Sequence, residues 1–107
     1  MMEEKIRGLS LVQVDMLNAI LSSEKKVISS SEVIKSLKIG SGQSVSALAS
    51  LSVGNKPLVK KMGKRSAREG ILWMFNDADY DRKEAVKAIK GILADWEKVG
   101  GIETLNN

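Results

Sequence analysis

The sequence predicts an α+β domain, mostly α. Three observations carry this: two serine capping boxes that open apolar runs at helical spacing, two short β-prone runs that flank a basic segment, and a long amphipathic stretch in the last third. A chain of 107 residues with 43% hydrophobic content fits one domain, residues 1–107, with a modest core. The four aromatic residues, Trp73, Phe75, Tyr80 and Trp96, all fall in the C-terminal third, which marks that region for closing the core or an interface.

Ser10-Leu-Val-Gln13 has capping-box spacing, in which the hydroxyl accepts a backbone N–H and the Gln side chain reaches back. Val12, Met16, Leu17, Ile20 and Leu21 then predict an amphipathic helix over residues 10–22, ended by a polar stretch to Lys26. Val27-Ile28 is a β-prone pair, able to add a third strand to a hairpin. Ser29 stands three residues before Glu32, a second capping box, and Val33, Ile34 and Leu37 supply the apolar face of a short helix ending near Lys38. The turn from Ile39 to Ser44 contains two glycines, and a third helix is expected through Val45, Leu48 and Leu51 to about Val53. Gly54-Asn-Lys-Pro57 is the strongest breaker in the chain.

Leu58-Val-Lys-Lys-Met62 and Ile71-Leu-Trp-Met-Phe75 read as strands, joined by a long flexible tip from Gly63 to Gly70. Asp77, Asp79 or Asp81 is placed to cap a last helix over residues 79–99, stopped by Gly100-Gly101. Val86, Ile89, Leu93 and Trp96 form a stripe with 3-4-3 spacing on it, widened by Ala85, Ile92 and Val99.

The segment from Lys56 to Gly70 holds six of the 17 Lys and Arg residues and a single acid, Glu69. It therefore carries +5, and the rest of the chain sums to −1 against an overall +4. Concentration on one expected hairpin is more informative than the total. Cations that neutralise phosphates release counterions and supply sequence-independent affinity for nucleic acid.

The order helix, short strand, helix, turn, helix, strand, basic loop, strand, helix resembles the winged helix-turn-helix, here with a long additional C-terminal helix. The resemblance covers residues 9–76. It rests on Val27-Ile-Ser-Ser-Ser-Glu-Val-Ile-Lys-Ser-Leu-Lys-Ile39 for the first strand and support helix, on Ser41-Gly-Gln-Ser-Val-Ser-Ala-Leu-Ala-Ser-Leu51 for the recognition helix, and on the two strands around the wing. Where common bacterial repressors place a Gly before the Leu-Val of the first wing strand, this chain has Lys56-Pro57.

The resemblance implies sequence-specific binding of double-stranded DNA, with the third helix in the major groove and the wing on backbone or minor groove. The third helix has no Arg or Lys. Its outward positions would be Ser41, Gln43, Ser44, Ala47 and Ser50; Gln43 is the side chain able to pair bidentately with adenine, and the serines suit phosphate. The wing set is Lys60, Lys61, Lys64, Arg65 and Arg68, whose bland alternative is a hairpin kept basic for solubility and to block edge pairing. The stripe Val86, Ile89, Leu93 and Trp96 is expected to form a homodimer interface, the alternative being a helix that closes a monomeric core. A transcriptional regulator is the leading role. A centromere-binding adaptor of a plasmid or phage partition system, with a motor protein as partner, is an alternative, as is a winged-helix module that binds protein.

With no Cys and no His, the chain lacks thiol and imidazole chemistry, so neither an enzyme nor a cofactor or metal site is expected. Asp77, Asp79 and Asp81 alternate like the start of a calcium loop, but the sixth and twelfth places hold Arg82 and Ala88 where Gly and Glu are needed. Gly40-Ser-Gly42 fits neither a dinucleotide fingerprint nor a P-loop. The charged N-terminus has no signal-peptide core, and no run reaches the roughly 18 apolar residues of a membrane span. A cytoplasmic protein without membrane contact is expected.

Overall fold

Two serine hydroxyls set where the second and third helices begin. The computed structural model describes residues 2–37, 46–66, 68 and 70–98, leaving aside the side chains of residues 2–4, 64–66 and 96–98. Helix α1 spans Met2–Arg7 and α2 spans Leu11–Ser22. At the start of α2 the Ser10 hydroxyl accepts the Gln13 N–H at 3.2 Å while Gln13 Oε1 accepts the Ser10 N–H at 2.8 Å, completing the expected box. Strand β1, Ile28–Ser29, runs straight into α3, Ser30–Lys35, through the second box: Ser29 Oγ accepts from Glu32 N at 3.2 Å.

Glu32 closes this second cap with its charge. Lys25 Nζ donates to Glu32 Oε2 at 2.7 Å, and this ammonium, followed by the Ser29 backbone N–H, holds the Glu32 carboxyl below its ordinary range. A carboxyl whose folded pKa is depressed contributes stability that is present above its unfolded pKa and is lost as pH falls through the folded one. Glu32→Gln is therefore expected to lower the urea midpoint at neutral pH, with the deficit shrinking as pH drops below the ordinary glutamate value. An equal deficit across urea titrations at both pH values would show that the charge contributes nothing.

Helix α2 is the centre of the molecule. The sequence predicts one apolar face, but Val14, Asp15, Met16, Leu17, Ala19, Ile20 and Leu21 are all buried. A helix apolar on most sides needs neighbours on most sides, and α2 packs against α3, α4, α5 and β3. Helix α3 ends at Lys35, earlier than expected, because the Ser36 N–H is shared between the Glu32 and Val33 carbonyls, both at 3.1 Å, which tightens the last turn. Helix α4, Ser46–Leu51, also stops short of Val53: the Ser52 N–H and hydroxyl both go to the Ala49 carbonyl, and Gly54 follows with φ of 101°. Leu48 and Leu51 of α4 enter the core as expected.

Strands β2, Val59–Ser66, and β3, Gly70–Phe75, complete a three-stranded antiparallel sheet in the order β1-β3-β2. The expected long tip is largely strand, since the ladder runs from Val59↔Phe75 to Ser66↔Gly70. Two register shifts, between Lys61 and Gly63 and between Lys64 and Ser66, absorb the extra residues of β2.

Helix α5 spans Arg82–Lys98. Its buried face is rotated from the expected stripe: Ala85, Ala88, Ile89 and Ile92 are buried, with Val86 and Leu93 half-buried at the margin. Helix α1, which the sequence pattern did not predict, packs along α5 with Ile6 fully enclosed. Together the described elements form a small α+β domain of five helices and one three-stranded sheet.

Candidate nucleic-acid interface

The basic hairpin is anchored at its base by one buried amide. Asn76 follows β3 and is fully enclosed; its Nδ2 donates to the Pro57 carbonyl at 2.8 Å and to Asp79 Oδ2 at 2.7 Å, and its Oδ1 accepts the Asp79 N–H at 3.3 Å. The carbonyl of the preceding Lys56 is held too, accepting from Lys5 Nζ at 2.8 Å and from the Tyr80 hydroxyl. The breaker before β2 is thus fixed by groups from α1 and from the turn after β3. Asn76→Ala is expected to cost about 1–3 kcal/mol in chemical denaturation, since it strips partners from buried polar groups. Asn76→Asp, which faces two acceptors with a charge, should be worse than Ala at neutral pH.

Further along, the hairpin is tied to α3. The Ser30 hydroxyl accepts Trp73 Nε1–H at 2.8 Å and donates to the Ile71 carbonyl at 3.2 Å, with Trp73 itself 1% exposed. Gly70 lies against the same serine: a Cβ there would sit 3.3 Å from Ser30 Cβ, and its φ of 82° is one that other residues rarely adopt. This is why the ladder closes on a glycine.

The register shifts decide which positions share a face. Lys60 stands opposite Met74, Lys61 opposite Trp73, and Lys64 opposite Ile71. Positions 61 and 64 would fall on opposite faces of a regular strand; the shift at Met62 puts them at the same parity, opposite residues two apart on β3. Lys60 is half-buried, Lys61 and Arg68 are exposed, and β2 is the edge strand. The side chains of Lys64 and Arg65 lie outside the described residues.

Among the described residues outside the hairpin, Arg7 pairs with Asp95 at 3.4 Å, Lys25 with Glu32 at 2.7 Å and Arg82 with Asp77 at 3.2 Å. No described acid pairs with Lys60, Lys61 or Arg68. A phosphate meeting these cations has no described carboxylate to displace.

Of the expected third-helix positions, Ser41, Gln43 and Ser44 lie outside the described residues. Ala47 is half-buried and packs on the core, so its methyl is partly spent internally. Ser50 is exposed, but its hydroxyl already accepts Gln13 Nε2–H at 2.8 Å and donates to the Ala47 carbonyl. The capping-box glutamine of α2 therefore also fixes α4, a link invisible in the local pattern.

On α5, Ile89 is 1% exposed and belongs to the chain's own core, which leaves it no surface for a second copy. Val86 and Leu93 retain partial exposure, and the Trp96 side chain lies outside the described residues. Among the three aspartates that precede α5, Asp81 alone caps it, accepting the Lys83 N–H at 2.9 Å; Asp77 pairs with Arg82 and Asp79 serves Asn76.

No family model matches the chain, and neither a curated protein nor a solved structure matches it. Among the described residues no helix is long and apolar enough to cross a membrane.

Proposed function

We propose that this protein binds double-stranded DNA sequence-specifically as a winged helix-turn-helix and acts as a dimeric regulator of transcription. The observation that carries the reading is the β2–β3 hairpin: Lys60 and Lys61 on its edge strand and Arg68 in the turn beyond it, none of them matched by a described acid. The sheet order β1-β3-β2, with α3 entered directly from β1 and α4 lying between α3 and β2 in sequence, supports it. In this reading the hairpin rests on backbone or minor groove, while the segment from Ser41 to Ser50 meets the major groove and Gln43 reads adenine. The dimer interface falls to Val86, Leu93 and Trp96, without Ile89.

Titration of duplex DNA at low salt tests the proposal. Binding is expected at low salt and weakening as salt rises; absence of binding to any duplex at low salt would overturn it. Footprinting on the DNA upstream of the protein's own gene is expected to show two half-sites related by a two-fold axis, as a symmetric dimer requires.

A further inference from the structure

Among the described residues, two large hydrophobic side chains stand exposed: Val53, 70% accessible in the loop after α4, and Met62, 47% accessible on β2. Met62 is the unusual one. It sits on an edge strand, where an exposed apolar side chain invites unwanted pairing, and it occupies the first register shift, between Lys61 and Gly63. Bulges re-aim side chains away from the regular pleat, and Gly63, with φ of 120°, supplies the backbone freedom that follows. Lys60 and Lys61 precede Met62 and Lys64 follows Gly63, so one apolar group is set within a run of cations.

That alternation matches the cross-section of a DNA minor groove, where phosphates line both walls and sugars and base edges lie between them. We infer that Met62 enters the minor groove between the lysine-bound phosphates and packs on deoxyribose and base edges. It supplies a salt-independent share of the affinity, which the cations by their nature do not. The inference rests on the DNA-binding reading above and assigns this site an apolar element.

Duplex titrations of the full chain across a series of KCl concentrations test it, with wild type, Met62→Ala and Met62→Leu compared. Met62→Ala is expected to weaken binding roughly tenfold, the size of returning on the order of 50 Å² of apolar surface to water, by the same factor at every salt concentration. Met62→Leu keeps the apolar packing and should stay within about twofold of wild type. An unchanged affinity for Met62→Ala, or a deficit that vanishes as salt rises, would overturn the inference while leaving DNA binding intact. Failure of the wild type to bind duplex at low salt would overturn both. Because Met62 is exposed, thermal melting of the Ala variant should match wild type, which separates weakened binding from a damaged fold.

Discussion

Trp73→Ala is expected to remove about 3–5 kcal/mol of stability, the range for truncating a buried Trp, and so a large share of what holds a small domain folded. Two separable losses contribute. The ring is 1% exposed at the middle of the central strand, paired on one side with Ile28 and on the other with Lys61, so its removal opens a cavity where all three strands meet. The indole N–H is also the donor to Ser30 Oγ at 2.8 Å, which pins α3 to the sheet. Trp73→Phe keeps most of the volume and deletes the donor. Ser30→Ala does the reverse, leaving a buried N–H without an acceptor at about 1–3 kcal/mol. If the bond holds α3 to the sheet, Ser30→Ala costs less in the Trp73→Phe background, with a coupling of about 0.5–3 kcal/mol. Urea denaturation followed by circular dichroism gives all four corners of the cycle, and additive effects would sink the assignment.

The same bond bears on the proposed function, because Lys61 stands opposite Trp73 and the edge strand takes its ladder hydrogen bonds from β3. A chain that folds without this anchor is expected to bind DNA less well even with every cation present. Anchoring at the base comes from Asn76, and both register shifts lie beyond the Lys61–Trp73 pair, toward the tip. The hairpin is thus fixed at its base by Asn76 and farther along through Trp73.

Both capping boxes were legible because they are local: Ser10 with Gln13 and Ser29 with Glu32 need only a three-residue spacing and the right side chains. The strands were legible from branched and aromatic content, and the net charge of the hairpin from counting. What escaped depends on partners distant in the chain. Helix α1 has too few residues to show a period, and Ile6 finds its place only against α5. The buried face of α5 is ambiguous in the sequence because Ile89 belongs to two overlapping stripes, one through Val86 and Leu93 and one through Ala85 and Ile92. Alanine carries little hydrophobic signal, yet Ala85 and Ala88 are both buried. Ladder length is hidden for a related reason: a bulge is defined by the opposite strand, so Gly63 and Gly70 read as loop ends in the sequence but are positions within a continuing ladder. Asn76 has one local partner, Asp79 three residues on, but its bond to Pro57 forms only after the hairpin closes, and that bond is what anchors the base.

Substituting Lys64, Arg65 and Arg68 together by Ala is expected to flatten the dependence of log affinity on log salt by about 2–3, near 0.9 for each phosphate no longer neutralised. Over a fourfold rise in salt the wild type should then lose roughly 40-fold more affinity than the variant, and the two should converge toward 1 M salt, where counterion release no longer drives binding. Helix α5 provides the matched control. Lys83, Lys87 and Lys90 line a shallow cleft along that helix with Arg82 and Val86, and converting these three lysines to Ala removes the same charge from a different surface. If the slope reports direct phosphate binding rather than net charge, the α5 variant keeps the wild-type slope. Stoichiometry is readable from the same plot, because a two-fold dimer gives up twice as many phosphates and the change roughly doubles, to about 5. Sedimentation of the free protein fixes which value applies. Equal slopes for wild type and the hairpin variant would mean that the hairpin cations meet no phosphate, and that they serve to keep an edge strand from pairing.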